Sequence, residues 1–208
     1  MKSNYRPLGL IVLLILADQV LKIVIKTSFT LGQSLSVIGD WFQLAFVENP
    51  GMAFGMTIGS KYFLTGFRMV VALLVFVYLW RMMRHGYKQG YMFVVALIFA
   101  GAIGNIIDCL FYGQLFSVST YTQVAEFMPQ NGGYAPFMMG KVVDMFYFPL
   151  FHFPSWVPFL GGELFFSPVF NLADSYISVA VVILLLFYRH DFNNTLESYM
   201  NFRRKIKP

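Results

Sequence analysis

The chain is poor in charge and almost free of cysteine. Asp, Glu, Lys and Arg make up 12% of its 208 residues, whereas an ordinary soluble domain carries about 25%. The single cysteine, Cys109, leaves no partner for an internal disulfide and excludes a multi-cysteine metal site. The three histidines, His85, His152 and His190, are far apart in sequence, and no H-E-x-x-H pattern occurs, so no zinc motif is present. There is no internal repeat. What the chain does have is apolar: 58% of residues are hydrophobic, with 24 Phe and 12 Tyr, and the mean hydropathy is +0.64. That composition belongs in a membrane, with aromatic rings at the lipid–water boundary. The net charge of +5 does not point to nucleic acid, because the basic residues lie mainly at the ends of apolar runs.

Four apolar runs are long enough to span a bilayer, at about 8–25, 62–80, 91–112 and 169–188. The first could be read as a cleavable leader, but the expected reading is a span. No small-x-small site follows it, and it continues through Asp18, Gln19 and Lys22. Asp18 and Lys22 are four apart, on one helix face, and can neutralise each other. In the third run Gly101, Gly104, Asn105 and Asp108 form a stripe of small and polar residues, suited to packing on neighbouring helices. In the fourth, Pro168 is placed in the first turn, and Asn171, Asp174, Ser175 and Ser178 fall on one stripe.

The loops at 26–61 and 113–168 differ in character. The first contains an alternating stretch, a turn signal at Ile38-Gly39-Asp40 and strand formers from Trp41 to Val47, which predicts a small hairpin or curved sheet at the membrane surface. It ends in Asn49-Pro50-Gly51, a strong turn signal. Residues 113–140 are polar and without period, and read as an exposed excursion. Residues 148–168 are rich in Phe but broken by Pro and Gly, and read as an irregular aromatic segment in the interface: a lid over substrate or an anchor. Asp144 lies in this outer loop, where its aromatic continuation would decide when it meets Asp174.

Ten of the fifteen basic residues lie in the N-terminus, the 81–90 loop and the C-terminal tail. The positive-inside rule therefore puts both termini in the cytoplasm and the two longer loops outside. The expected fold is membrane α-helical: one integral-membrane domain over 1–208, with four transmembrane helices and, on the outer face, a small cradle-like β-sheet and the aromatic segment. In this orientation Lys22, Arg68, Asn105, Asp108 and Asp174 gather near the outer boundary, with Asp18 a turn deeper.

An ionised carboxylate in or beside hydrocarbon is costly, and marks a candidate functional site. Cys109 has no base placed near it, and Ser175 and Ser178 share their helix with no Lys or His. Two aspartates remain, Asp144 and Asp174. Close together in a partly dry site, such a pair shares one proton, so that one carboxyl activates water while the other protonates a leaving amine. The alternatives are a small proton-coupled transporter using Asp18, Asp108 and Asp174 as relays, or a membrane assembly factor without chemistry.

Five motifs occur in order: Asp18-Gln19-Val20-Leu21-Lys22, Asn49-Pro50-Gly51-Met52-Ala53-Phe54-Gly55, Gly104-Asn105-Ile106-Ile107-Asp108, Val142-Val143-Asp144-Met145 and Phe170-Asn171-Leu172-Ala173-Asp174-Ser175. In these the chain resembles the lipoprotein signal peptidases (signal peptidase II), aspartyl proteases of the bacterial inner membrane. The resemblance implies that Asp144 and Asp174 are a catalytic dyad cleaving prolipoproteins before a diacylglyceryl-modified cysteine. It implies substrate-binding or supporting roles for Asp18, Lys22, Asn49, Gly51, Asn105, Asp108, Asn171 and Ala173. It further implies no metal or organic cofactor, contact with membrane lipid, inhibition by globomycin-type peptides, no nucleic-acid partner and a monomer. The chain departs from the family pattern at Cys109, where an arginine is usual; pairing of Arg68 with Asp108 is the expected compensation.

Overall fold

Each apolar run becomes a helix. The computed structural model describes residues 4–50 and 61–195, with α1 at Arg6–Ser28, α2 at Lys61–His85 and α3 at Gln89–Ile107. A π-helical turn, Asp108–Tyr112, and a short α4, Gly113–Leu115, prolong α3. The last helix, α5, runs Leu172–Phe187. Among the described residues three helices are long and apolar enough to cross a membrane, and a fourth counts if α5 is joined to Arg189–Thr195, from which it is bent by 86°. Gly51 and the rest of 51–60, the first three residues and the basic tail from 196 onward lie outside the described residues.

Helix α3 is central and packs on α1, α2 and α5. The small stripe read from the sequence is what allows this. A Cβ on Gly101 would run into the Ala173 carbonyl oxygen, and one on Gly104 would lie 2.6 Å from Asp18 Oδ2 and 3.0 Å from the Ala173 Cβ. Two apolar clusters fill the interior. One joins Ile11, Leu79, Met83, Tyr91 and Met92 of α1, α2 and α3. The other, with Ile25, Phe46, Tyr112, Phe116, Val143 and Met145, lies under a sheet.

That sheet is antiparallel in the order β1 (Ser34–Ile38), β2 (Phe42–Asn49), β3 (Val142–Tyr147). The β1–β2 hairpin matches the sequence expectation. The third strand does not: Asp144, expected in an outer loop, sits in β3 opposite Val47. The β-branched pair Val142-Val143 suits a strand buried on both faces, and burial of Val142, Val143, Asp144 and Met145 drives the pairing. A β-bulge between Leu44 and Val47 falls just before the Val47–Asp144 pair, a place where bulges re-aim side chains.

Three further expectations need correction. The final helix starts at Leu172, leaving Pro168 outside it, because Asn171 forms a capping box with Asp174. Each of these residues satisfies a backbone N–H of the other, which fixes the helix start more strongly than a proline does. Segment 113–140 is not simply an exposed excursion. Phe116, Ser119 and Ala125 are buried, tied down by backbone bonds such as Leu31 N–H to Thr120 O and Tyr134 N–H to Phe116 O. Within 148–168 the chain forms a two-stranded hairpin, β4 (Phe151–His152) and β5 (Leu164–Phe165).

Candidate active site

Asp144 and Asp174 reach the site from different elements, and one local clamp brings them together. Phe170, just before the cap of α5, pairs with Phe146 of β3. The Phe146 amide donates to Phe170 O at 2.7 Å, and the Phe170 amide returns a bond to Phe146 O at 3.1 Å. The clamp thus lies two residues after one aspartate and four before the other, with regular secondary structure on both sides.

Asparagine side chains link the two carboxylates through hydrogen bonds. Asn171 Nδ2 donates to Asp144 Oδ1 at 2.7 Å and to Asn105 Oδ1 at 3.1 Å. Asn105 Nδ2 donates to Asp174 Oδ1 at 2.8 Å. Asn49 Nδ2 reaches the other Asp144 oxygen, Oδ2, at 3.1 Å. The Asn171 backbone N–H donates to Asp174 Oδ2, and Asn171 Oδ1 accepts from the Asp174 amide. Among the described residues no lysine or arginine forms an ion pair with either aspartate. Asp144 is 3% exposed. Burial, and then the neighbouring Asp174 charge, push its carboxyl up from the ordinary 3.8 to about 7, against the opposing effect of the Asn49 and Asn171 hydrogen bonds.

Directly beneath lies a second carboxylate group, organised around Lys22. Its ammonium reaches Asp18 Oδ2 and Asp108 Oδ2, each at 2.9 Å, and Asn105 Oδ1 at 2.9 Å. Three acceptors for three protons leave nothing unsatisfied. Gln19 Nε2 lies 3.1 Å from Asp18 Oδ2 and 3.0 Å from Asp108 Oδ1. Asp18 Oδ1 accepts the Ala173 amide, and Asp108 Oδ2 accepts the Val143 amide. Each acid therefore holds the backbone of one of the two elements that carry Asp144 and Asp174, and Asn105 links this network to Asp174. Ala173 takes part through its amide and its close fit on Gly104. The expected pairing of Arg68 with Asp108 does not form. Asp108 is taken by Lys22, Gln19 and Val143, while Arg68 Nη1 approaches Cys109 Sγ at 3.4 Å. Cys109 itself is buried.

Sequence reasoning missed two contributors. Gln19 sits between Asp18 and Lys22 in the first motif, yet only the fold shows it touching both acids. The other is Glu48, one residue before Asn49. Glu48 binds Lys26 and Ser119 through Oε1, and Lys141 through Oε2 at 2.8 Å. Burial acts to raise its carboxyl, but Lys26 and Lys141 outweigh that and hold it below the usual range. On strand β2 Asn49 faces Asp144 and its neighbour Glu48 the opposite side, so this buried ion group anchors the strand from behind. A signal was available: Lys26 is four residues beyond Lys22 on the same helix face.

A family model described as signal peptidase (SPase) II matches residues 10–189. The chain belongs to the signal peptidase II family. A lipoprotein signal peptidase of Porphyromonas gingivalis is 52% identical over 185 residues, covering 86% of this chain and 81% of that protein. One of Amoebophilus asiaticus is 32% identical over 208 residues, covering 95% and 84%. A bacterial membrane enzyme solved by the in meso method at 2.3 Å shares the fold, with a TM-score of 0.61 and 23% identity over 93% of this chain and 95% of that one. For a signal peptidase II family member, a membrane peptidase, all the quoted motifs but the Asn49–Gly55 loop, of which only Asn49 and Pro50 are described, fall in the polar network or at its edges.

Proposed function

We propose that the protein is an aspartyl endopeptidase that removes signal peptides from diacylglyceryl-modified prolipoproteins, cleaving before the lipidated cysteine. One observation carries this reading: two aspartates from different elements, joined through Asn171, have no cationic partner among the described residues, and one of them is held near neutrality. Such a pair shares a single proton. Asp144, with its raised carboxyl, holds it and polarises the scissile carbonyl. Asp174 sits in the first turn of α5, where the helix N-terminus favours negative charge, and takes the base role toward a water. Attack forms a tetrahedral diol, and the pair then returns a proton to the leaving amine. No covalent intermediate is needed. Asn49 and Asn105 hold the two carboxylates apart and oriented, while the Lys22 group supports both elements from below.

In this reading the protein is a four-span monomer of the bacterial inner membrane. Both termini are cytoplasmic, the sheet is a cradle at the outer face, and the substrate's lipid stays in the bilayer. A globomycin-type peptide would compete for the same groove. Purified enzyme incubated with a lipidated prolipoprotein tests the reading. The wild-type protein should cleave, whereas Asp144→Asn and Asp174→Asn should each lose activity by about 10²–10⁴-fold with unchanged folding. Full activity in either variant sinks the dyad. A wild-type enzyme that leaves the substrate uncut but moves protons in liposomes points to a transporter instead.

A further inference from the structure

The segment joining the two aspartate-bearing elements carries a surface that neither polar group uses. The β4–β5 hairpin has only two residue pairs, Phe151 with Phe165 and His152 with Leu164. Its own rings brace it: Phe151 stacks on Phe165 at 4.7 Å between centroids, and Phe153 meets both edge-on. A lone two-stranded hairpin is marginally stable at best in water. This one nevertheless turns its largest apolar side chains outward, with Trp156 80% exposed and Phe159 fully so at 103%. Phe159 and Phe166 hold left-handed backbone, at φ 64° and 62°, which costs a bulky residue roughly 1–3 kcal/mol. Between residues 148 and 168 the only Asp, Glu, Lys or Arg is Glu163. A charged partner surface would find almost nothing to pair with.

Placement supplies the occupant. The segment ends on Phe170 and Asn171, where α5 begins, and α5 exposes Val179, Val182 and Leu186 along its length as a lipid-facing helix does. The hairpin therefore springs from the level at which that helix enters lipid. A continuous row of rings ties it to the first hairpin: Trp41 meets Phe148, Phe148 stacks on Phe170, and Phe170 meets Phe166. Exposed Trp and Phe at that level, without cations, suit the headgroup–acyl boundary.

We propose that the β4–β5 hairpin is a membrane-docking element that seats Trp156 and Phe159 in the boundary region of the leaflet nearest the dyad, with a glycerophospholipid surface as its partner. The bilayer supplies the second face that so small a hairpin lacks. It also steadies the segment whose two ends hold Asp144 and the cap of α5. This inference goes beyond the peptidase reading and does not rest on it.

The test uses the full chain in phosphatidylcholine nanodiscs, and needs no substrate. The Trp156 signal is the difference between the wild type and Trp156→Phe, which keeps Trp41 and Trp80 in place. It should be blue-shifted, be lost when the lipid is brominated high on its acyl chains, and be insensitive to aqueous iodide. A spin label at Phe159→Cys provides an independent depth reading, which should favour oxygen over a water-soluble nickel relaxant. Adding anionic lipid should leave both signals unchanged. Water-like emission that iodide quenches and brominated lipid does not overturns the proposal. So does quenching by brominated lipid that appears only after lipidated substrate is added, because that marks a lid over substrate rather than a lipid anchor.

Discussion

Two groups of carboxylates lie one above the other, and they differ most in one component. In the lower group Asp18 and Asp108 share Lys22, which spends all three protons on them and on Asn105. In the upper group, among the described residues, asparagine amides and a backbone N–H donate to the Asp144 and Asp174 carboxylates. A buried charge with a hydrogen-bonded counter-ion is a fixed part of the structure, costly to disturb. Neutral donors orient the Asp144 carboxyl without a counter-ion while burial holds it near neutrality, which is what acid–base chemistry requires. In the proposed mechanism the lower group supplies rigidity and the upper group reactivity, and Asn105 bonds to both.

That contrast is most sharply tested by breaking each group in turn. Asp144→Asn and Asp174→Asn should lower kcat/KM by about 10²–10⁴-fold while thermal unfolding in detergent is not lowered from the wild-type temperature. Lys22→Met should do the reverse in kind. Two buried acids lose their cation, and the expected stability loss is about 3–5 kcal/mol, read as a collapse in the yield of folded protein or in Tm. If Lys22→Met keeps its stability and loses only activity, the division of labour is wrong.

A smaller effect probes the packing that lets the groups meet. Gly104→Ala places a methyl against Asp18 Oδ2 and the Ala173 Cβ, and overpacking of this kind costs roughly 1–3 kcal/mol. Since it pushes α5 away from α3, KM and kcat should suffer together with Tm. Gly9→Ala, where nothing lies within 4 Å of the added carbon, is the matched control and should be silent.

The smallest effect is on pH. Asp144 titrates near 7 when folded, against 3.8 in the ordinary state. Between those values the folded protein keeps a proton that the unfolded chain has released. Stability from this group therefore falls as pH rises through that window, and levels off above about 7. With Asp144 as the protonated partner, kcat/KM should decline on the alkaline side of the same value. The Asn49 hydrogen bond favours the charged form, so Asn49→Ala should move that limb to higher pH. A limb that stays in place would remove Asn49 from the dyad.

The membrane class, the β1–β2 hairpin, the helical runs to within a few residues and the candidate aspartates were all legible in the chain itself. Each rests on a local signal: a long hydropathic run, a short alternating stretch beside strand formers, a glycine stripe at helical spacing, or a charge out of place in apolar surroundings. The tertiary structure alone decided the rest. Asp144 became a strand residue because β2 was waiting opposite it, nearly a hundred residues earlier in sequence, and pairing at that separation leaves no local trace. The start of α5 passed from Pro168 to Asn171 because a two-sided cap, braced by Asp144 and Asn105, outweighs a proline. Asp108 chose Lys22 over Arg68 because helix packing set the lysine against it. Local composition sets where polar groups are expensive, and only packing determines which of them are given a counter-ion and which are left to exchange a proton.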